Sequence, residues 1–183
     1  MGLFGTIFER GHLPQKNLAI ELLRKLLNDE IKTRSKRNVV KSRQFSELLE
    51  GTIRKYQNRA IQTAQVIEEL IGLAKQMREE SAKGAELGLS EDEVAFYDAL
   101  EVNDSAVKVL GDATLKTIAR ELVDTVRRNT TIDWTVRENV RAHLRVLVKR
   151  ILRKYGYPPD KQEKATVTVL EQAEVLSASW VPA

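Results

Sequence analysis

The feature that most constrains the fold is an amphipathic run over residues 131–162, TIDWTVRENVRAHLRVLVKRILRKYGYPPDKQ. Asp133 is the predicted N-cap, because its carboxylate can accept hydrogen bonds from the free N–H groups of a first helical turn. Gly156 follows the last periodic residue, at the position where many helices end in a left-handed glycine, and is the predicted C-cap. The apolar positions between these caps share one helical face: Val136, Val140, Leu144, Leu147, Val148, Ile151, Leu152 and Tyr155. The run therefore predicts a core helix in which Leu144 and Val148, in the middle of that face, are buried.

A second face of the same helix is basic, with a cation at every fourth residue. Arg137, Arg141, Arg145 and Lys149 form this basic stripe, and Arg150, Arg153 and Lys154 add to it. One interpretation is a solvated face that is paired partly with the acidic residues at 61–112 and with Glu138, because charged helix faces usually meet water. The other is contact with an anionic surface, either DNA phosphates or an acidic patch on a protein. The residues alone leave both interpretations open.

Charge is divided into blocks along the chain, although the net charge of the 183 residues is only +4. Residues 14–60 carry twelve Lys or Arg against five Asp or Glu, and residues 113–160 carry eleven against five. Residues 61–112 carry four against twelve. Such alternation favours pairing between segments, or separate faces for separate partners.

The first part of the chain predicts a helical arm over residues 14–80. Its first helix, over 15–32, has a wide apolar face made of Leu18, Ala19, Leu22, Leu23, Leu26, Leu27 and Ile31. A basic linker over 33–41 follows this helix. The wide face predicts that the first helix packs along the next one.

The second helix of the arm is predicted to be very long, from the N-cap Ser42 to residue 80, with a break near Asn58 as the alternative. Its three-and-four apolar spacing extends over ten positions, which is more than the first helix can cover. We therefore expect the remaining apolar face to meet another subunit or domain. Tyr56, Ile67 and Ile71 are the candidate interface residues of the arm.

The rest of the chain predicts a compact helical domain over 90–178, joined to the arm by a linker over 81–89. Ser90 opens a capping box, SEDE, and Asp112 is the predicted cap of a later helix. Residues 1–13 lack a helical period and are predicted to be loose. Since no series of strands is found, the sequence predicts an all-α chain that consists of a long helical arm and a compact helical bundle.

Patterns that indicate catalysis are missing from the sequence. Neither GxxxxGK[ST] nor GxGxxG occurs, and His12 and His143 are isolated. The absence of Cys excludes thiol catalysis and zinc–thiolate sites and fits a reducing compartment. No apolar run approaches the roughly 20 residues of a membrane span. The sequence thus predicts a cytoplasmic chain without membrane contact, which by itself is not an enzyme and binds no cofactor or metal.

Four stretches of the sequence are similar to one known family. The most specific is DWTVRENVRAHLRVLVKRILRKYGYPPDKQ, and the others are LSEDEVAFYDAL, IRKYQNRAIQTAQVIEELIGLAKQMRE and NLAIELLRKLLNDEIK. Together they cover residues 17–174, nearly the whole chain. On these residues the chain resembles the C-terminal segment of the restriction (R) subunits of type I restriction–modification enzymes.

The resemblance implies a role in a large complex. In this family a specificity subunit reads an asymmetric DNA site, and methylation subunits sense its modification. The R subunit is an ATP-dependent translocase and endonuclease, which pulls DNA past the complex and cuts it when translocation stalls. Its nuclease and ATP-binding motifs are absent here, so the resemblance implies the C-terminal part only, with ATP and Mg used by the parent enzyme. It supplies no catalytic residues for this region.

The resemblance also implies that this region docks the motor subunit onto the methyltransferase core. Its partners would then be the methylation and specificity subunits and the motor domains of the same subunit. A second hypothesis is a module that contacts duplex DNA through the basic faces at 32–59 and 137–154, and a third is a structural bundle without a partner of its own. Only weak, non-specific DNA binding is predicted, because an acidic middle block dilutes the basic residues and few aromatic residues accompany them.

Overall fold

A computed structural model describes residues 12–130 and 134–180, with side chains from Asn17 onward. Its helices are α1 (His12–Ser35), α2 (Val39–Gln57), α3 (Thr63–Leu87), α4 (Glu91–Glu101), α5 (Asp104–Asn129), α6 (Glu138–Lys154) and α7 (Pro159–Trp180). No strand occurs in these described ranges, and the prediction of an all-α chain is confirmed. The segment 1–13, predicted to be loose, lies outside the described residues except for the two that begin α1.

The described residues divide into two compact units. The first unit comprises 12–33 and 42–82, and the second comprises 34–41, 83–130 and 134–180. The short turn between α1 and α2 therefore belongs to the second unit, although most of both helices belongs to the first. Each unit has its own cluster of buried side chains.

The core of the first unit is built from one stripe on each of α1, α2 and α3. Its buried members are Ile20, Leu27, Ile31, Phe45, Leu49, Ile53, Val66, Leu70, Leu73 and Met77. Within each helix these positions are three, four or seven residues apart, which is the spacing of a single face. At the edge of the core, Thr52 donates a hydrogen bond to Glu69 at 2.9 Å, and Lys55 lies 3.7 Å from the same carboxylate.

A turn separates α2 from α3, so the prediction of one long helix over 43–80 is wrong and the alternative break near Asn58 is correct. Arg59 has a φ of 55°, and the N–H of Ala60 donates to the carbonyl of Lys55 at 2.9 Å. This is the hydrogen-bond pattern of a Schellman C-cap. The apolar spacing does not reveal the break, because α2 and α3 both bury their stripes in the same core.

The predicted linker over 81–89 is helical as far as Leu87, so that prediction is wrong for most of its length. Gly84, which was part of the predicted linker, lies inside α3, and a Cβ there would come within 2.9 Å of a methyl group of Val94. The glycine thus permits a close approach of α4 to α3. The helix ends at Leu87 and is followed by Gly88, whose φ of 68° suits a residue without a side chain.

The turn between α1 and α2 is shorter than the basic linker predicted over 33–41, because α2 begins at Val39. The N-cap of α2 is Asn38, whose side-chain oxygen accepts a hydrogen bond from the N–H of Lys41 at 3.0 Å. The prediction of Ser42 as the cap is therefore wrong, and Ser42 is buried within α2. Both residue types can cap a helix, and the local sequence does not decide between them.

The core of the second unit is formed by α4 to α7. Leu144 and Val148 are fully buried in it, which confirms the prediction for the middle of the apolar face. Trp134, just before α6, is 2% exposed, and its indole N–H donates to the hydroxyl of Ser177 at 2.7 Å. This hydrogen bond fixes the entry to α6 against α7.

Helix α6 begins at Glu138, later than the sequence predicted, and Arg137 is its N-cap residue. The predicted cap Asp133 lies outside the described residues. Val136 precedes the helix and is 83% exposed, so its assignment to the buried face is wrong. The predicted left-handed residue at the end of the helix is confirmed, because Gly156, which follows the C-cap residue Tyr155, has a φ of 75°.

The capping box at the start of α4 is also confirmed. The N–H of Glu93 donates to the Ser90 hydroxyl, and the N–H of Ser90 donates to the Glu93 carboxylate. Further on, α5 is kinked at Gly111, which has a φ of 76° and a ψ of 167°. Asp112 follows this kink and accepts a hydrogen bond from the Tyr97 hydroxyl at 2.8 Å.

Candidate interaction surfaces

The basic stripe is held against α7 in the second unit. Arg141 lies 3.8 Å from Glu174, and both Arg145 and Lys149 pair with Glu163. The structure thus brings three members of the predicted stripe together. Their carboxylate partners lie on the last helix and not in the acidic block at 61–112, which sequence reasoning had suggested. Whether a partner protein contacts the stripe as well stays a prediction.

These ion pairs are exposed, with 35–56% of each side chain accessible to solvent. Exposed pairs of this kind contribute about 0–1 kcal/mol each, because water screens the charges and the long side chains lose freedom. The stripe therefore reinforces the contact between α6 and α7 only slightly. That contact depends mainly on buried residues such as Leu144 and Val148.

The face of α6 that points away from the core differs from the stripe. With about 100° between successive residues, the positions opposite Leu144 and Val148 form a separate row, and we name this row the outer face of α6. It consists of Asn139, Ala142, Val146, Arg150 and Arg153, all exposed. Arg150 and Arg153, which the sequence added to the stripe, therefore belong to the outer face of α6.

The charges of α6 are only partly balanced by its neighbours. The helix carries six Lys or Arg and one Glu. Four of the cations pair with three carboxylates of α5 and α7, since Lys154 pairs with Glu121 at 3.1 Å in addition to the three stripe contacts. A hydrogen bond from Tyr155 lowers the pKa of Glu121, which keeps this carboxylate charged. Within the described part of the chain, Arg150 and Arg153 have no ion-pair partner.

The three candidate residues of the arm differ in exposure. Tyr56 and Ile67 are half-buried against the core of the first unit, and the Tyr56 hydroxyl hydrogen-bonds the side chain of Asn17. Ile71 is 45% exposed. Of the predicted set, Ile71 is thus the residue most available to a partner.

The most exposed large apolar side chains among the described residues of the first unit lie on α1, where the sequence predicted burial. Leu18, Leu22 and Leu26 are 69%, 56% and 56% exposed, and we name them the outer face of α1. They lie on the side of the helix away from the buried Ile20 and Leu27. One signal could have revealed this division. The apolar positions predicted for this helix span more than half of its circumference, which is wider than one packing contact can cover.

A buried polar cluster in the second unit holds the turn between α1 and α2. Gln172 accepts from the N–H of Val39 at 2.9 Å and donates to the carbonyl of Arg37 at 2.6 Å. Beside it, Asn38 donates to Asp98 at 2.7 Å, and burial raises the pKa of this carboxyl group. Among the residues described, the other oxygen of Asp98 accepts no hydrogen bond, and it lies 3.6 Å from the Lys83 ammonium group. The hydrogen bonds of Gln172 thus hold the backbone of the turn, and Asn38 ties the turn to α4.

The first unit contains an open groove of about 340 Å³ between α1 and α2. Its lining mixes both charges and apolar groups: Arg24, Asn28, Leu49, Glu50, Ile53, Arg54 and Gln57. In the described ranges, no group of His, Asp and Glu side chains is arranged to hold a metal ion. Nor does any of the helices described combine the length and apolar character that crossing a bilayer requires.

These features define the class of protein: an all-helical region of two compact units, each with exposed side chains on helix faces turned away from its own core. A model of the family "Type I restriction enzyme HindI endonuclease subunit-like, C-terminal" matches residues 7–179. The chain belongs to this family, and the resemblance found in the sequence is confirmed.

Two relatives agree with the family. The type I restriction enzyme HindI endonuclease subunit of Haemophilus influenzae is 40% identical over 164 residues, which cover 90% of this chain and 16% of the relative. The putative type I restriction enzyme MjaIXP endonuclease subunit of Methanocaldococcus jannaschii is 35% identical over 149 residues, 81% of this chain and 14% of the relative. The chain therefore spans only a small part of the length of these relatives. No solved structure matches it.

Proposed function

We propose that this chain is the assembly region of a type I restriction endonuclease subunit, which docks the subunit onto the core formed by the methylation and specificity subunits. The observation that carries this proposal is the outer face of α1. Its three leucines are each more than half exposed, although the first unit has a complete core without them. Exposed apolar rows of this kind are typical of surfaces that another protein covers.

The geometry of this face suits a helical partner. Leu18, Leu22 and Leu26 are four residues apart, so they form a row about 12 Å long at 1.5 Å per residue. A Leu side chain contributes about 1.5–3 kcal/mol when it is fully buried. Since more than half of each side chain is still exposed, docking would gain more than half of that contribution from each of the three leucines. Ile71, also exposed in the first unit, is a further contact residue in this proposal.

The activities in the names of the relatives belong to proteins about six times longer than this chain. We propose that ATP- and Mg-dependent translocation and DNA cleavage take place outside this chain, which contributes no catalytic residue. The motor domains of the same subunit would then be its second partner. A restriction enzyme acts on intracellular DNA, so the proposed location is the cytoplasm.

Contact with duplex DNA is a weaker candidate function. In the face at 137–154, most cations already pair with Glu163, Glu174 or Glu121 of the same chain. In the face at 32–59, Lys55 pairs with Glu69 in the first unit, and Arg37 pairs with Glu91 in the second. These ion pairs reduce the positive charge that each face offers to phosphates, and a DNA site needs several such contacts.

The test is co-purification of this chain with the methylation and specificity subunits in the absence of DNA. The wild-type chain is expected to bind, and Leu22→Glu should abolish binding because it places a charge in the apolar row. Val109→Glu is the matched control, since Val109 is 68% exposed but lies in the second unit. Failure of the wild-type chain to bind overturns the proposed function. Normal binding by a folded Leu22→Glu variant removes the outer face of α1 from the interface.

A further inference from the structure

We infer that the outer face of α6 is a second docking surface, and that it receives an acidic helical segment of a partner protein. This inference rests on the proposed assembly function and adds to it the site in the second unit and the chemistry of the segment that binds there. The basic stripe is not this site, because Arg141, Arg145 and Lys149 are turned toward carboxylates of α7.

The outer face is long and continuous. Its members Asn139, Ala142, Val146, Arg150 and Arg153 follow one another at intervals of three and four residues, which keeps them in one row. The row is about 21 Å long at 1.5 Å per residue. Val146 is 52% exposed at its centre. A partner helix lying along this row could contact every one of its positions.

The row has two chemically different halves. Its first half ends in the small and apolar side chains of Ala142 and Val146, and its second half carries Arg150 and Arg153. Among the described residues, these two arginines are the cations of α6 that remain after the other four are matched with Glu163, Glu174 and Glu121. A guanidinium group binds a carboxylate through two parallel hydrogen bonds, so the two arginines suit two acidic residues on the partner.

The difference between the two halves of the row favours an acidic protein segment over DNA as the partner. A duplex presents phosphates along its whole length, and the first half of the row offers them no cation. Two contacts would release about two counterions and give a log–log salt slope of only about −1.8, which is too little for stable DNA binding. An amphipathic helix with apolar residues at one end and Asp or Glu at the other matches both halves of the row.

The experiment measures binding of the whole chain to the purified complex of methylation and specificity subunits. Arg150→Glu combined with Arg153→Glu should weaken binding by about tenfold or more, because like charges then face the acidic segment. Lys161→Glu combined with Lys164→Glu is the matched control, with the same charge change and the same spacing at the start of α7. The control should change binding by less than about threefold.

Two further measurements separate a loss of the docking surface from a loss of folding. Val146→Asp should weaken binding, while Val136→Asp, at an exposed valine just before α6, should not. Melting curves of all variants should match that of the wild-type chain, since every substituted side chain is exposed or partly exposed. Wild-type binding with unaffected binding by the Arg150/Arg153 variant overturns this inference and leaves the proposed function standing. No binding by the wild-type chain overturns both. A steep, salt-dependent affinity for a 30-base-pair duplex that the Arg150/Arg153 variant loses would assign the face to DNA instead.

Discussion

Gln172→Ala is the substitution that most sharply tests how the second unit holds the turn between α1 and α2. Gln172 is fully buried in α7, and its side-chain amide serves two backbone groups of the turn. It accepts from the N–H of Val39 at 2.9 Å and donates to the carbonyl of Arg37 at 2.6 Å. Val39 is the first residue of α2, so its N–H has no partner within the helix. The side chain from α7 thus completes the first turn of α2.

The expected cost follows from these two hydrogen bonds. Leaving a buried backbone donor or acceptor without a partner costs about 1–3 kcal/mol. Val39 and Arg37 are not fully buried, so water can replace part of what is lost. We therefore expect the free energy of unfolding of the second unit to fall by about 2–4 kcal/mol. This is the lower part of the range that two unpaired buried backbone groups would give together. Thr168→Ala, one turn earlier in α7, is the control: Thr168 is partly exposed and its hydroxyl donates only to the carbonyl of Lys164 in the same helix. It should change the free energy of unfolding by less than about 0.5 kcal/mol.

The assay combines urea unfolding with amide hydrogen exchange. The N–H of Val39 should exchange much faster in Gln172→Ala than in the wild-type chain, and amides in the middle of α2 should change less. A loss of stability below about 1 kcal/mol, with exchange at Val39 unchanged, would refute the role of the Gln172 amide. Equal effects of Gln172→Ala and Thr168→Ala would refute it as well.

Two more predictions concern the backbone and pH. Arg59→Gly should stabilise the chain by about 0.5–1 kcal/mol in urea unfolding, because removing the Cβ relieves a left-handed residue by more than the added freedom of the unfolded chain costs; a loss of stability would contradict this. Asp98 concerns pH. Burial raises its pKa above the ordinary value of 3.8, so the folded state binds the proton more tightly than the unfolded chain. The free energy of unfolding should therefore fall as pH rises from about 4 through the folded-state pKa. Asp98→Asn should remove this part of the pH dependence, and an unchanged pH profile would show that Asp98 is not its source.

The features that the sequence predicted correctly depend on neighbouring residues. The capping box at Ser90 and the left-handed C-cap at Gly156 need only side chains and backbone within one or two turns. The burial of Leu144 and Val148 follows from periodicity within a single helix. Such local patterns are therefore readable without knowledge of the fold.

The features that the sequence missed depend on contacts between distant segments. Gly84 looked like part of a linker, but it lies in a helix that Val94 approaches closely. The basic stripe looked exposed and available, but its partners Glu163 and Glu174 come from a helix that its own periodicity cannot place. On α1, one wide apolar face proved to be a buried row and an exposed row. Spacing along a helix shows which residues share a side, and only packing shows which sides are covered.

The central claim is that this chain assembles with the methylation and specificity subunits. The most direct measurement is sedimentation velocity of the wild-type chain mixed with the complex of those subunits, without DNA and without ATP. The account predicts a co-sedimenting species with a Kd of about 10 μM or tighter, which is the range of a specific protein interface of ordinary size. Adding duplex DNA should leave this Kd unchanged. Separate sedimentation of the two components at concentrations of about 50 μM, or association only after DNA is added, would contradict the claim.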